Sequence, residues 1–143
     1  LGSLTLATVS ASILPSASLA VGAGTKEAYL AQIKAGYETL KDLDAHWEEK
    51  TVNFDGDVVR RILGTVGTTS PLFSVKKAFE AVWKNKAQDP EADIDVLDEV
   101  SEKYNKILDG ISAIDFQLYS VNFTELTPTK QKLIKDGKQS LDK

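Results

Sequence analysis

Cysteine and methionine are both absent from the 143 residues, and histidine occurs once, at His46. Without cysteine there is no disulfide staple, thiolate zinc site, iron–sulfur cluster or thiol nucleophile. Compartment stays open, because a disulfide-free protein is compatible with any. A single imidazole excludes bis-histidine haem and a di-iron site built on two Glu-x-x-His pairs. No Ser-His-Asp set can be argued around His46. Set beside Trp47, Glu48 and Glu49, His46 reads as a boundary residue at a helix end. An enzyme is not expected, and no cofactor or metal site is expected either.

Charge is absent from the first 24 residues, LGSLTLATVSASILPSASLAVGAG. An apolar stretch from Leu4 to Leu14 is broken by Pro15, and Ser18-Leu19-Ala20 offers small residues before a cut after Ala20. This is the pattern of the apolar and cleavage regions of an export signal. The basic leading region is missing and Leu1 is not an initiator, so a longer precursor is expected. The stretch is too short, too rich in hydroxyls and too poor in flanking cations for a membrane span. If the arm persists in an ordered form, a neighbouring protein must hold it, as in a subunit of a larger assembly. Two regions follow: residues 1–24 as an uncharged arm or targeting remnant, and residues 25–143 as a domain long enough to bury its own core.

Strand patterns are also missing, and what is present is helical. Thr25 is an N-cap candidate with Glu27 in the first turn, and Leu30, Ile33, Tyr37, Leu40 and Trp47 keep helical spacing to about Lys50. Asp55-Gly56 is a turn signal, followed by a short apolar face at Val58, Val59, Ile62, Leu63 and Val66 that Gly64 and Gly67 end. Ser70-Pro71, Asp89-Pro90 and Thr127-Pro128 share one start signal, a capping residue before proline at the first helical position. The first opens a face of Leu72, Val75, Phe79 and Val82. The second opens the longest seam: Leu97, Val100, Tyr104, Ile107, Ile111, Ile114, Leu118 and Val121, in alternating steps of three and four. The third opens a last helix still in pattern at Lys143, so continuation past Lys143 is expected. The fold expected is all-α, an antiparallel (up-down) four-helix bundle with a short extra helix and an extended N-terminal arm.

Net charge is −4, which gives no whole-molecule attraction to nucleic acid. Asp89, Glu91, Asp93 and Asp95 alternate like a calcium loop, but Pro90 is embedded and the sixth-position glycine is missing. They read as acidic residues opening a helix. Cations nevertheless cluster, at Arg60-Arg61, Lys76-Lys77, Lys84 and Lys86, and at Lys130, Lys132, Lys135, Lys138 and Lys143. Two readings stand for them: solvated helix faces, or docking onto an acidic protein surface.

The segment between the second and third helical patterns, RRILGTVGTTSPLFSV at residues 60–75, lacks the GK[ST] and the preceding strand of a phosphate-binding loop. It reads as a connection, released by Gly64 and Gly67 and ended by Ser70-Pro71. With its flanks, GDVVRRILGTVGTTSPLFSVKKAF at residues 56–79, it resembles the PsbQ-type extrinsic proteins of photosystem II. The likeness is to the forms of diatoms and other red-lineage algae, including the PsbQ-related fifth extrinsic subunit of diatoms. Arg60, Arg61, Leu63, Gly64, Thr65, Val66, Gly67, Thr68, Ser70, Pro71 and Leu72 carry it, within a likeness spanning about residues 25–143. The resemblance implies a non-catalytic subunit, peripheral on the thylakoid membrane in the chloroplast lumen and bound to the photosystem II core and other extrinsic subunits. Such subunits shield the manganese–calcium cluster and help retain calcium and chloride, supplying no metal ligands themselves. The residues expected to dock are Arg60, Arg61, Lys76, Lys77, Lys130 and Lys132, with an internal ion pair as the other role open to the arginine pair. The competing reading is an unrelated exported helical module that binds proteins. The sequon Asn122-Phe123-Thr124 separates the two, because a protein secreted through the endoplasmic reticulum would carry a glycan there.

Overall fold

Thr25 acts as expected: its hydroxyl accepts the backbone N–H of Ala28 at 3.2 Å and opens helix α1, Lys26–Ala45. A computed structural model of the protein describes residues 24–143, and the export signal expected in residues 1–20 lies outside them. The helix does not run unbroken to Lys50. His46 leaves helical geometry (φ −115°, ψ 21°), its backbone N–H reaching Asp42 O at 3.0 Å, and helix α2, Trp47–Thr51, resumes beyond it. His46 is thus the helix-end residue expected. Trp47 is the largest fully buried side chain, and Thr51 satisfies its buried hydroxyl by donating to Trp47 O.

Helix α3, Gly56–Ile62, starts from Asp55, whose carboxylate accepts from Asp57 N. Gly56 is required by a close approach: a Cβ there would lie 2.0 Å from the carbonyl oxygen of Leu118. The next helix, α4, spans Val75–Ala87, and the longest, α5, spans Ile94–Val121. Both begin about four residues after the proline signals that were expected to open them. Ser70 instead donates to Ile62 O and accepts from Leu72 N, while Phe73 N–H bonds Ser70 O. These bonds close a turn, and Ser74 at φ 55° sets the chain into α4. Likewise Asp89 accepts from Glu91 N, and Asp93 is the residue that caps α5. A polar residue followed by proline suits a tight turn as well as a helix start; at Ser70-Pro71 tertiary bonds accompany the turn, and at Asp89-Pro90 the turn closes locally. Only Thr127-Pro128 opens a helix, α6, Thr127–Leu141, which carries proline in its first turn.

Every regular element among the described residues is a helix. α5 packs against α3, α4 and α6, and α4 packs against α1. The core gathers Leu43, Trp47, Val59, Leu63, Leu72, Val75, Ile111, Ile114, Leu118 and Val121, each buried side chain stabilising by about 1.5–3 kcal/mol. The seam expected to be buried along all of α5 is buried only from Ile111 onward; Val100 and Ile107 are exposed. Gly137 lets α6 settle on this core, since a Cβ there would meet Leu118 Cδ2 at 2.7 Å and Trp47 Cη2 at 3.3 Å.

Candidate functional site

Arg60 and Arg61 are adjacent in sequence and point to different environments. Arg60 turns inward, its side chain 15% exposed. Its Nε donates to Asp115 Oδ1 and a terminal nitrogen to Asp57 Oδ1, both at 2.8 Å. The guanidinium carbon lies 4.8 Å from the centre of the Tyr119 ring, a cation–π distance. Thr65 donates to the same Asp115 oxygen, and Asn122 Nδ2 donates to Asp57 Oδ1 at 3.2 Å. Partial burial would lower the Arg60 pKa, but the hydrogen bonds Arg60 donates to Asp115 and Asp57 outweigh it and hold the pKa above its ordinary value. This network ties α3 and the loop after it to α5.

The remaining residues of the 60–72 segment also have conformational work. The Arg60 carbonyl accepts from Thr65 N and Val66 N at 3.1 and 3.3 Å, ending α3. Gly64 takes φ 72°, and a Cβ on it would lie 2.4 Å from Phe73 N, so any side chain is excluded twice over. Gln32 of α1 donates to the carbonyls of Pro71 and Phe73, pinning the loop from the other side. Leu72 is buried, its Cδ2 within 2.9 Å of the Cβ position of Gly36. Exposed in this segment are Arg61, Thr65, Gly67, Thr68 and Thr69.

The structure does not assemble the six expected docking residues into one site. Arg61 lines a shallow depression with Glu38, Asp42 and Thr69. Lys76 lines a different one with Gly64, Thr65 and Asn105, and stands 3.9 Å from Glu80. Lys77 is exposed at the start of α4 and makes no ion pair among the described residues. On α6, Lys132 pairs with Asp136 at 2.6 Å, one turn along the same helix, while Lys130 is half-buried. Exposed pairs of this kind contribute little and leave the cation accessible. Arg61, Lys76, Lys77 and Lys132 are therefore surface cations, and Arg60 is an internal ion-pair residue.

Two features escaped the reading by sequence. Asp57 and Asp115 hold Arg60; the legible signal was an aspartate directly beside Ile114 in the apolar seam. Phe116 and Tyr119 of α5 and Phe123 of the turn after it form an exposed aromatic strip, with Tyr119 and Phe123 ring centres 4.6 Å apart. Their spacing of three and four residues made that strip readable. Elsewhere, Trp83 buries its Nε1 with no hydrogen-bond partner among the described residues. Among the described residues no group of three His, Cys, Asp or Glu side chains is placed to hold a metal ion, and no helix is long and apolar enough to cross a membrane. Compared with known proteins, the chain matches no family model, no curated protein and no solved structure.

Proposed function

We propose that the protein is a non-catalytic extrinsic subunit on the lumenal side of photosystem II, stabilising the oxygen-evolving complex and its retention of calcium and chloride. The observation that carries the reading is the 60–72 segment, where the residues resembling the PsbQ-type pattern hold one conformation together: Arg60 on α5, Gly64 at the left-handed turn, Ser70 closing the next turn, Leu72 in the core. In this reading α1, α4, α5 and α6 are the members of an antiparallel four-helix bundle, and the protein sits in the thylakoid lumen, peripheral on the membrane. Docking falls to the exposed cations Arg61, Lys76, Lys77 and Lys132, which would orient the subunit on acidic surfaces of the core and of its extrinsic neighbours.

The test is rebinding to photosystem II stripped of its extrinsic proteins, with oxygen evolution assayed at low calcium and chloride. Saturable binding with restored activity is expected, weakening as salt rises. No binding, where the other extrinsic proteins do rebind, removes the reading. The alternative, an unrelated exported helical-bundle module that binds proteins, is favoured by one observation: Asn122 of the sequon is exposed at the end of α5. A glycan on Asn122 of the native protein would select that alternative; a bare Asn122 belongs with a lumenal location.

A further inference from the structure

The helical period turns Ile111, Ile114, Leu118 and Val121 of α5 toward the core. At about 100° per residue, Phe116 and Phe123 fall almost opposite that face, with Tyr119 and Ser120 on either side of them. A surface helix carries its charges on this outer side. Here residues 116–124, FQLYSVNFT, carry none, and Phe116, Tyr119 and Phe123 are 66%, 46% and 71% exposed. Ser112 and Ser120 donate their hydroxyls to the carbonyls of Leu108 and Phe116 in their own helix. The Tyr119 ring is held in place: its centre lies 4.8 Å from the Arg60 guanidinium and 4.6 Å from the centre of the Phe123 ring. A contact ordered in advance in this way loses little freedom on binding.

We propose that this strip pairs with the same strip of a second copy of the chain, the two α5 helices running antiparallel about a two-fold axis. Spacing selects a copy of the chain as the occupant. Phe116 stands three residues before Tyr119, and Phe123 three residues after Ser120, so the strip is symmetric about the Tyr119-Ser120 bond. Turned end for end, it sets Phe116 against Phe123 of the second copy and Tyr119 against the small, half-buried Ser120. Large then meets small at the axis, as close packing requires. Charge points the same way, because a two-fold pairing brings each patch against itself. The N-terminal half of α5 would oppose Asp95, Asp98, Glu99, Glu102 and Asp109 to an identical set, and α6 would do the same with Lys130, Lys132 and Lys135. The strip opposes no charges, and Arg60 beside Tyr119 is already bonded to Asp57 and Asp115. Area sets the strength: at roughly 200 Å² per aromatic side chain, the rings expose about 370 Å². That is under half of the roughly 800 Å² each side contributes to a standard interface, so the dimer is weak and reversible.

The test is sedimentation equilibrium of the full chain alone, over concentrations up to about 1 mM, the weak end of the affinity scale. A monomer–dimer equilibrium is expected, with no larger species and no weakening as salt rises, because the contact is apolar. Phe116→Asp and Phe123→Asp should each weaken dimerisation about tenfold or more. Circular dichroism should not change, since both side chains are exposed. Val100→Asp, on the other open face of α5, should leave the dimer as it is. The chain has no cysteine, so Ser120→Cys gives a single thiol beside the axis, which a short bis-maleimide should join to its copy. Ser112→Cys should not be joined, because its copies would lie about 22 Å apart along the paired helices at 1.5 Å per residue. A chain that stays monomeric, association that grows past the dimer, or a dimer disrupted by Val100→Asp but not by Phe116→Asp would overturn the proposal. So would cross-linking through Ser112→Cys in place of Ser120→Cys.

Discussion

Within α5, Ile111, Ile114, Leu118 and Val121 are buried, whereas Val96, Val100 and Ile107, at helical spacing in the preceding turns, stand more than a third exposed. The two halves do not differ in their apolar pattern. They differ in neighbours: α3 and α6 close over the C-terminal half, and α6 ends before it can reach the N-terminal half. α4 serves the N-terminal half from one side, stacking Phe79 on Tyr104 with ring centres 5.3 Å apart. Periodicity specifies that a helix has an apolar face. What lies on that face is a property of the whole chain, and one long helix here carries both a covered and an uncovered half.

The largest effect expected from this difference is on stability. Leu118→Ala removes a side chain that is 1% exposed and packed against Gly137, and should cost about 2–5 kcal/mol. Val100→Ala, at the same point of the pattern but uncovered, should stay within about 0.5 kcal/mol. Denaturation followed by the combined emission of Trp47 and Trp83 measures both. Similar costs for the two would break the comparison and show that the N-terminal half is covered in solution.

The same distinction between covered and uncovered separates the two arginines, on a smaller scale. Arg60→Ala strips a partner from Asp57 and Asp115 and frees Tyr119, and should cost about 1–3 kcal/mol, reduced from a fully buried pair by its partial exposure. Arg61→Ala should be nearly silent in the same denaturation experiment. In rebinding to photosystem II their order should reverse: Arg61→Ala weakens attachment while its fold is intact. Loss of attachment in Arg60→Ala alone, in protein of wild-type stability, would return Arg60 to the docking surface.

The helices and their apolar faces were legible because spacing, caps and glycines act locally. Thr25 and Gly64 perform the roles their positions advertise, and Thr127-Pro128 marks the start of α6, although Leu126 and not Thr127 is the capping position. The starts of α4 and α5 were misread because Ser70-Pro71 and Asp89-Pro90 satisfy a turn as readily as a helix; at the first the bonds from Ser70 to Ile62 O and from Gln32 to Pro71 O come from outside the dipeptide, and at the second the turn closes on Glu91 N and Ala92 N. The fates of Arg60 and Arg61 were illegible for the same reason. Nothing beside them in sequence says that Asp115, 55 positions away, takes only one of the pair.

At the boundary between the covered and open halves, α6 is fastened to α1 by an exposed contact, Lys138 Nζ to Asp44 Oδ1 at 2.6 Å, with Asp142 on the other side of the lysine. The hydrogen bond from Lys138, offset in part by desolvation, holds the Asp44 pKa below its ordinary 3.8. A carboxylate whose folded pKa is depressed adds stability above its unfolded pKa and loses it as pH falls through the folded value. Asp44→Asn should therefore lower Tm slightly at neutral pH and make no difference in acid below the folded pKa, where both side chains are uncharged. The shift should be smaller than that of Arg60→Ala, because the contact is open to solvent and screened by salt. A difference that persists undiminished in acid would mean that Asp44 acts through something other than its charge.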